Sequence, residues 1–239
     1  MNSRTLSAAA LKWIALTSML IDHAAEVLYT ASVKAHARLF GPKIYLALRC
    51  FGRLAFPIYA FLLAEGFYHT RSRGKYLLRL GVFALLSELP FDLAFRGVWL
   101  EWEHQNVFCT LFLGLAALWL FTAITGGTAQ DCEWWRTALG LLAVAALAAL
   151  AELGHTDYGV WGVSVVASMG ILRTEPRRRN LVSGALLLGS SPLEAFSFVD
   201  YWLFSLYNGQ RGRQCKYLFY VFYPGHLLLL CLLRKLCYT

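Results

Sequence analysis

The sequence predicts an all-α membrane protein, a polytopic bundle of about eight transmembrane helices. Of its 239 residues, 58% are hydrophobic and 15% are charged, whereas about a quarter of the residues of a soluble domain are charged. Apolar runs that reach the length of a bilayer crossing, about 20 residues, follow one another with short loops between them. Residues 1–239 are therefore expected to form a single integral-membrane domain.

Each predicted span is an apolar run, and polar loops mark where one run ends and the next begins. The basic loop Arg71–Lys75 separates the second run from the third, and the polar loop Thr125–Glu133 separates the fourth from the fifth. The first run has no small-residue cleavage site, so we expect it to remain as the first helix. The predicted spans are residues 8–29, 44–67, 76–95, 106–124, 137–153, 157–172, 180–200 and 216–236.

The loops also predict a topology. The spans 137–153 and 157–172 are short, so they form either two crossings or one re-entrant hairpin. In the eight-span arrangement the most basic segments, Arg71–Lys75, Arg173–Arg179 and Arg234-Lys235, face the same side. The positive-inside rule assigns that side, and both termini with it, to the cytoplasm. The cations then expected outside are Lys34, His36, Arg38, Arg211, Arg213 and Lys216.

Charge and cysteine usage argue against two other classes of protein. The net charge of +8 comes from cations in short loops, where membrane topology explains them, so we expect no nucleic-acid partner. The six cysteines show no CxxC or other metal-ligand spacing, which argues against a zinc site or a disulfide framework. No metal cofactor is therefore expected.

The first span carries Asp22 and His23 inside an apolar run, where ionisable residues are costly and mark functional sites. Lys12 lies eleven positions before His23, almost three helical turns, so the two share a face about 16 Å apart along the axis. A neutral imidazole suits general-base work on an amine or hydroxyl. Asp22 either orients that imidazole or pairs with Arg49 or Arg53. The structural interpretation, a buried ion pair beside a hydrogen-bonded histidine, stays open.

Arg49 and Arg53 lie one helical turn apart in the second span, with Gly52 between them and Pro57 after them. Gly52 allows close backbone approach, and Pro57 is expected to kink the helix. Two guanidinium groups on one face can grip a phosphate or hold buried carboxylates. Asp22 is one candidate for such a carboxylate.

Three polar residues near the outer side are expected to line a cavity, because a lipid-facing carboxylate pair is unfavourable. Glu88 and Asp92 lie one turn apart in the third span and are further candidate partners for the arginines. Asn106 opens the fourth span.

Four cations, Arg71, Arg73, Lys75 and Arg79, crowd one predicted membrane edge. A nucleotide diphosphate can dock on such a cluster, although most basic loops only set topology.

The last span begins with an aromatic segment that ends in Pro224-Gly225-His226. Tyr220 and Tyr223 can stack on a ring or donate hydrogen bonds. A break at Pro224-Gly225 is expected, and His226 is either a rival catalytic histidine or part of a structural bend.

Taken in order through almost the whole chain, these motifs resemble the TraX family. They are Lys12-Trp-Ile-Ala, Met19-Leu-Ile-Asp-His23, Leu48-Arg-Cys-Phe-Gly-Arg-Leu-Ala-Phe-Pro57, Gly66-Phe-Tyr-His-Thr70, Ser87-Glu-Leu-Pro-Phe-Asp92, Gln105-Asn-Val, Thr110-Leu, Asp157-Tyr-Gly159 and Phe219-Tyr-Val-Phe-Tyr-Pro-Gly-His-Leu227. The resemblance implies acetylation of a pilin amino terminus. The family is also similar to the acyltransferase-3 group, which takes acyl groups from cytoplasmic acyl-CoA.

The resemblance implies a multi-pass protein of the bacterial cytoplasmic membrane that uses acetyl-CoA as donor and a peptide or saccharide as acceptor. His23 would act as the base, with Asp22, Arg49, Arg53 and His226 as further catalytic candidates. The candidate acetyl-CoA contacts are Lys12, Arg71, Arg73, Lys75, Arg79, Tyr220 and Tyr223, and the candidate cavity residues are Glu88, Asp92, Asn106 and Asp157.

A second class of function also fits the intramembrane Asp, His and Arg residues, a small proton-coupled transporter or channel. The absence of a clear inverted repeat counts mildly against it. The sequence leaves the oligomeric state open.

Overall fold

The computed structural model describes residues 5–37, 39–127, 132–213 and 217–238. Arg38, Cys215, Lys216 and part of the predicted polar loop, residues 128–131, lie outside the described residues. Within the described ranges the secondary structure is helical, with two isolated β-bridges, and the predicted all-α fold is confirmed. The helices are α1 (Ala8–Lys34), α2 (Pro42–Gly52), α3 (Ala55–His69), α4 (Arg73–Phe95), α5 (Val107–Thr125), α6 (Trp134–Leu153), α7 (Gly159–Ile171), α8 (Pro176–Ser190), α9 (Phe198–Ser205) and α10 (Leu218–Tyr238), and a 3-10 helix (Pro192–Ser197) precedes α9.

Four segments of the described chain are long and apolar enough to cross a membrane, and α7 is a shorter apolar helix. These apolar helices fit a lipid bilayer, so the chain is a helical membrane protein. The prediction of about eight crossings stays a prediction. The four segments are Pro42–His69, Val107–Thr125, Trp134–Leu153 and Leu218–Tyr238.

The predicted span 44–67 is broken at Arg53 and Leu54, where α2 gives way to α3. Pro57 lies in the first turn of α3, where a missing backbone N–H costs little. The expected kink at Pro57 is therefore replaced by a break four residues earlier. This break leaves the arginine pair at the C-terminal end of α2.

Two other predicted features differ in the structure. The predicted span 180–200 is not one helix, because α8 ends at Ser190 and the 3-10 helix and α9 follow. The predicted break at Pro224-Gly225 is wrong, because α10 continues through Pro224. A proline inside a helix removes one hydrogen bond, and the remaining ladder keeps the flanking turns helical.

The chain divides into two compact units. Unit 1 consists of Met1–Tyr59, Leu86–Leu100 and Leu193–Thr239, and unit 2 consists of Ala60–Leu85 and Glu101–Pro192. Helices α3 and α4 contribute residues to both. The single domain over residues 1–239 stays a prediction.

Unit 2 contains the packed helices α5, α6 and α7. Its core holds the small residues Ala117, Ala148 and Ala167 beside Phe121. At Gly140 a Cβ would meet the Phe121 ring at 2.8 Å, so a glycine is required for this approach. Small residues at helix contacts are the usual means of close packing in membrane proteins.

Helices α1 and α10 run parallel in unit 1. The Lys12 ammonium lies 5.1 Å from the Phe219 ring centroid, and His23 lies beside His226 further along both helices. The segment before α10 returns to the start of α1, where the Ala9 amide donates to the Arg211 carbonyl at 3.1 Å.

This arrangement bears on the predicted topology. Two parallel helices that both cross a bilayer carry their C-terminal ends to the same side, so the predicted crossing of α1 together with a crossing of α10 would put the start of α1 and the end of α10 on opposite sides. The placement of both termini on the cytoplasmic side is therefore not confirmed. Arg211 lies beside the start of α1, not on the side expected from eight crossings, because α8, the 3-10 helix and α9 do not form the single predicted span.

Candidate active site

The candidate site lies in unit 1 and begins with a pair of histidines. Nδ1 of His23 in α1 lies 2.8 Å from Nε2 of His226 in α10, although 203 residues separate them. Nδ1 of His226 lies 2.8 Å from the carbonyl oxygen of Phe222, one turn earlier in α10. His226 is buried and His23 is half-buried. The structure thus brings both predicted histidines into one site.

Aromatic rings hold this pair in place. Tyr223 makes edge contacts with both imidazoles, with ring centroids 5.9 Å from His23 and 5.6 Å from His226. Phe95 from α4 makes a further edge contact with His23 at 5.2 Å. Phe222 stacks on His226 at 4.9 Å. These contacts fix both ring planes with edge-to-face and stacked geometries that aromatic pairs prefer.

An ion-pair network surrounds Asp22, the neighbour of His23. Nη1 of Arg49 lies 2.7 Å from Oδ2 of Asp22, and Nη2 of Arg53 lies 3.0 Å from Oδ1. Nη1 of Arg53 also lies 3.2 Å from Oε1 of Glu194, whose side chain is only 1% exposed. Buried guanidinium and carboxylate groups are stable only when paired in this way.

Glu26 extends the network by one turn along α1. Nε of Arg49 lies 3.6 Å from its carboxylate, and the Tyr45 hydroxyl donates a hydrogen bond to it at 2.5 Å. The side chains of Arg49 and Glu26 are partly exposed, at 24% and 30%. This end of the network is therefore more open than the end at Glu194.

The sequence builds this network through close contact of α1 and α2. The two helices are antiparallel, and the Ser18 hydroxyl donates to the carbonyl of Phe51 at 2.8 Å. The hydroxyl also lies 3.1 Å from the carbonyl of Gly52, so it satisfies carbonyls that the end of α2 leaves free. The predicted close approach at Gly52 is confirmed, because a Cβ there would overlap the side chain of Asp22.

These contacts decide between two interpretations of Asp22. Its carboxylate holds Arg49 and Arg53, and the group that bonds the His23 ring is His226. Asp22 is therefore an ion-pair partner of the arginines, as one of the two sequence interpretations predicted. The arginines bind Asp22, Glu26 and Glu194.

Two buried carboxylates at this site were not singled out from the sequence. Glu194 lies in the 3-10 helix and Asp200 in α9, and both are fully buried. Among the described residues no hydrogen-bond partner reaches either oxygen of Asp200. Both acids fall within the predicted span 180–200. An acidic residue inside a predicted span is itself a sign of a functional site, and this sign was available in the sequence.

Other predicted residues of unit 1 lie on the same helices as the site. Lys12 shares with His23 the face of α1 that meets α10, as predicted, and its ammonium sits over Phe219. Asp92 is fully buried and Glu88 is half-buried in α4. Tyr220 is half-buried in the first turn of α10. Their roles as cofactor or cavity residues stay predictions.

The predicted basic cluster at the start of α4 lies in unit 2, and some of its guanidinium groups lie over aromatic rings. Arg73 lies 4.3 Å from the Phe67 ring centroid, and Arg173 lies 4.3 Å from the Tyr68 ring centroid. The two rings touch edge to face at 5.1 Å. Arg173 was not among the predicted contacts, although its basic loop was. Arg71 and Lys75 are exposed, and Arg79 lies 5.6 Å from the Tyr76 ring.

Two predicted cavity residues of unit 2 make structural contacts. Asn106 caps α5, accepting from the Phe108 amide at 2.9 Å and donating to the Ala84 carbonyl at 2.8 Å. Asp157 is exposed, and its carbonyl accepts a hydrogen bond from the Thr110 hydroxyl. In the described part of the chain no three His, Cys, Asp or Glu side chains group as metal ligands would.

The fold and the site together define a polytopic helical membrane protein with a histidine pair and an ion-pair network between its helices. The model of the family described as TraX protein matches residues 7–234. The chain belongs to the TraX family. It is similar to the probable fimbrial assembly protein FimC, serogroup H1, of Dichelobacter nodosus, at 30% identity over 246 residues and 94% of each chain. No solved structure matches the chain significantly.

Proposed function

We propose that this protein is a membrane acetyltransferase of the bacterial cytoplasmic membrane. It moves an acetyl group from cytoplasmic acetyl-CoA to an amine or hydroxyl acceptor, such as the amino terminus of a pilin-like peptide. The observation that carries the proposal is the bonded pair of His23 and His226, which joins α1 to α10, next to Asp22 and its two arginines. Membership of the TraX family and similarity to a fimbrial assembly protein support it.

In this mechanism His23 takes a proton from the acceptor as it attacks the thioester carbonyl of acetyl-CoA. The new bond joins the acceptor nitrogen or oxygen to the carbonyl carbon, and the carbon–sulfur bond breaks. The CoA thiolate leaves and receives the proton that His23 carried. Direct transfer and an intermediate acetyl-His23 both fit this geometry.

The arginines have a supporting role. Nη1 and Nε of Arg49 face Asp22 and Glu26, and a guanidinium group carries five N–H donors. Arg49 therefore keeps donor capacity with which it can stabilise the negative charge that develops on the carbonyl oxygen. Arg53 is more deeply buried and holds Asp22 and Glu194 in place.

Acetyl-CoA binding is assigned to the basic cluster of unit 2. The proposed contacts are Arg71, Arg73, Lys75 and Arg79, with Arg173 added because the structure places its guanidinium group on Tyr68, next to the ring that carries Arg73. Guanidinium groups on aromatic faces can still present N–H edges to phosphate oxygens. Nε of Arg173 lies 3.8 Å from Glu65, so the terminal nitrogens of Arg173 are the proposed phosphate donors.

The experiment uses purified protein, radiolabelled acetyl-CoA and a peptide with a free amino terminus. His23→Ala is expected to lower the transfer rate at least about a hundredfold, the lower range for loss of a general base, with acetyl-CoA binding unchanged. His104→Ala is the matched control, because His104 is exposed and belongs to unit 2. Transfer at the wild-type rate by folded His23→Ala protein would rule out the catalytic role.

A small proton-coupled transporter or channel is the second candidate. The observation that favours it is Asp200, a fully buried carboxyl group without a hydrogen-bond partner among the described residues, since such groups occur in proton relays. A transporter neither binds nor hydrolyses acetyl-CoA, so the same radiolabel assay separates the two functions. Acetyl-CoA binding without proton flux in proteoliposomes would favour the acetyltransferase.

A further inference from the structure

We infer that His226 is a positioning residue that fixes the tautomer of His23 and leaves Nε2 of His23 as the basic atom. The inference rests on the proposed function for its chemical consequence. The tautomer assignment itself rests on the hydrogen bonds of the pair.

The assignment begins at Phe222. Its carbonyl oxygen can only accept a hydrogen bond, and Nδ1 of His226 lies 2.8 Å away. Nδ1 of His226 must therefore carry a proton and donate it. In a neutral imidazole only one nitrogen is protonated, so Nε2 of His226 holds a lone pair and accepts.

The next hydrogen bond passes this constraint to His23. Nδ1 of His23 lies 2.8 Å from Nε2 of His226. Because Nε2 of His226 accepts, Nδ1 of His23 must donate. Nε2 of His23 is then unprotonated and can take a proton from an acceptor group. Two hydrogen bonds thus define which atom of His23 acts as the base.

The surroundings prevent the pair from rearranging. His226 is 4% exposed and lies against the Phe222 ring, with an interplanar angle of 13°. A flip of its ring would remove the bond to the Phe222 carbonyl and bury an unpaired nitrogen. Such an unpaired group costs about 1–3 kcal/mol. Edge contacts with Tyr223 and Phe95 hold the His23 ring in the same way.

The chemical consequence is a division of labour between the two histidines. His23 meets the reacting group, and His226 acts through His23. Without this partner His23 can carry its proton on Nε2 instead. Nε2 then has no lone pair with which to take a proton from the acceptor. Holding an imidazole in the wrong tautomer can lower turnover by orders of magnitude.

Two amide substitutions at position 226 test the inference. In His226→Gln the amide oxygen can occupy the place of Nε2 and accept from Nδ1 of His23. In His226→Asn the shorter side chain reaches only the place of Nδ1, so it can bond Phe222 but not His23. We expect His226→Gln to keep the transfer rate within about tenfold of wild type and His226→Asn to lose about a hundredfold in kcat, with unchanged acetyl-CoA binding.

The second measurement is nitrogen NMR of protein labelled with 15N-histidine, which distinguishes a protonated from an unprotonated ring nitrogen. Wild type and His226→Gln should show His23 with a protonated Nδ1 and a bare Nε2, and His226→Asn should lose this signature. Equal kcat in the two variants, or a protonated Nε2 on His23 in wild type, would overturn the inference. The expected signature in a wild-type protein without transfer activity would support the tautomer assignment and refute the proposed function.

Discussion

Gly52 lies so close to Asp22 that a side chain on Gly52 would overlap the Asp22 carboxylate. This contact sets the spacing between α1 and α2 at the centre of the ion-pair network. The glycine thus has a packing role, because the absence of a Cβ lets the two helices approach until the arginines reach Asp22.

Gly52→Ala is expected to lower the free energy of unfolding by about 1–3 kcal/mol, the usual cost of overpacking a well-packed contact. Thermal unfolding in detergent micelles measures it. Gly225→Ala is the matched control, since it also lies within a helix and a Cβ there has nothing within 4 Å. Equal melting temperatures for the two variants would contradict the packing role.

Asp22→Ala removes the carboxylate that Arg49 and Arg53 share. The expected loss is about 3–5 kcal/mol in unfolding free energy, because breaking a buried ion pair leaves uncompensated charge. Glu175→Ala provides the comparison, since its partner Arg178 is 73% exposed and exposed pairs contribute about 0–1 kcal/mol. A loss at Asp22 no greater than that at Glu175 would show that the network is not stabilising.

Arg73 and Arg173 are expected to contribute directly to acetyl-CoA binding under the proposed function. Each substitution by Gln should weaken binding by about 1.5–3 kcal/mol, the range for hydrogen bonds to charged groups. Isothermal titration with acetyl-CoA gives the dissociation constants, and Arg178→Gln is the control because Arg178 is a 73% exposed arginine outside the proposed contacts. An unchanged dissociation constant in the double variant would show that these two arginines do not bind the phosphates of acetyl-CoA.

The parallel course of α1 and α10 predicts that residues 213 and 238 lie on opposite sides of the membrane. The positive-inside rule applied to Arg211 and Arg213 favours a cytoplasmic start of α1. This arrangement leaves Arg234 and Lys235, which the eight-span arrangement placed inside, on the outer side. In a cysteine-free background, Tyr238→Cys should react with an impermeant maleimide on intact cells, and Arg213→Cys should react only after lysis. Labelling of both sites from the same side would refute the parallel arrangement across the bilayer.

The sequence was sufficient for the class of fold and for part of the site. Few charges and long apolar runs determine a membrane helix bundle. The i, i+4 spacing of Arg49 and Arg53 predicted either a phosphate site or buried carboxylates, and Asp22 is the carboxylate that both arginines contact. Gly52 between them predicted the close helix approach. These features depend on composition and on local helical geometry, which a sequence displays directly.

The remaining features depend on contacts between distant residues. Glu194 meets Arg53 across 141 residues, and no local period indicates that pairing. The same holds for His23 and His226, which the sequence presented as rivals and the structure joins. The break at Arg53 and Leu54 was also not predicted, because both residues lie within a long, mostly apolar run. The Ser18 hydroxyl that bonds the end of α2 comes from another helix, so no local pattern indicates it.

The separation of the two histidines has a consequence for biosynthesis. A ribosome that has delivered His23 to the membrane must still add 203 residues before His226 exists. During that interval the imidazole of His23 lacks its partner on α10, so under the proposed function it cannot yet act as the base. Under the proposed function, a chain that ends before α10 is therefore expected to show no acetyl transfer.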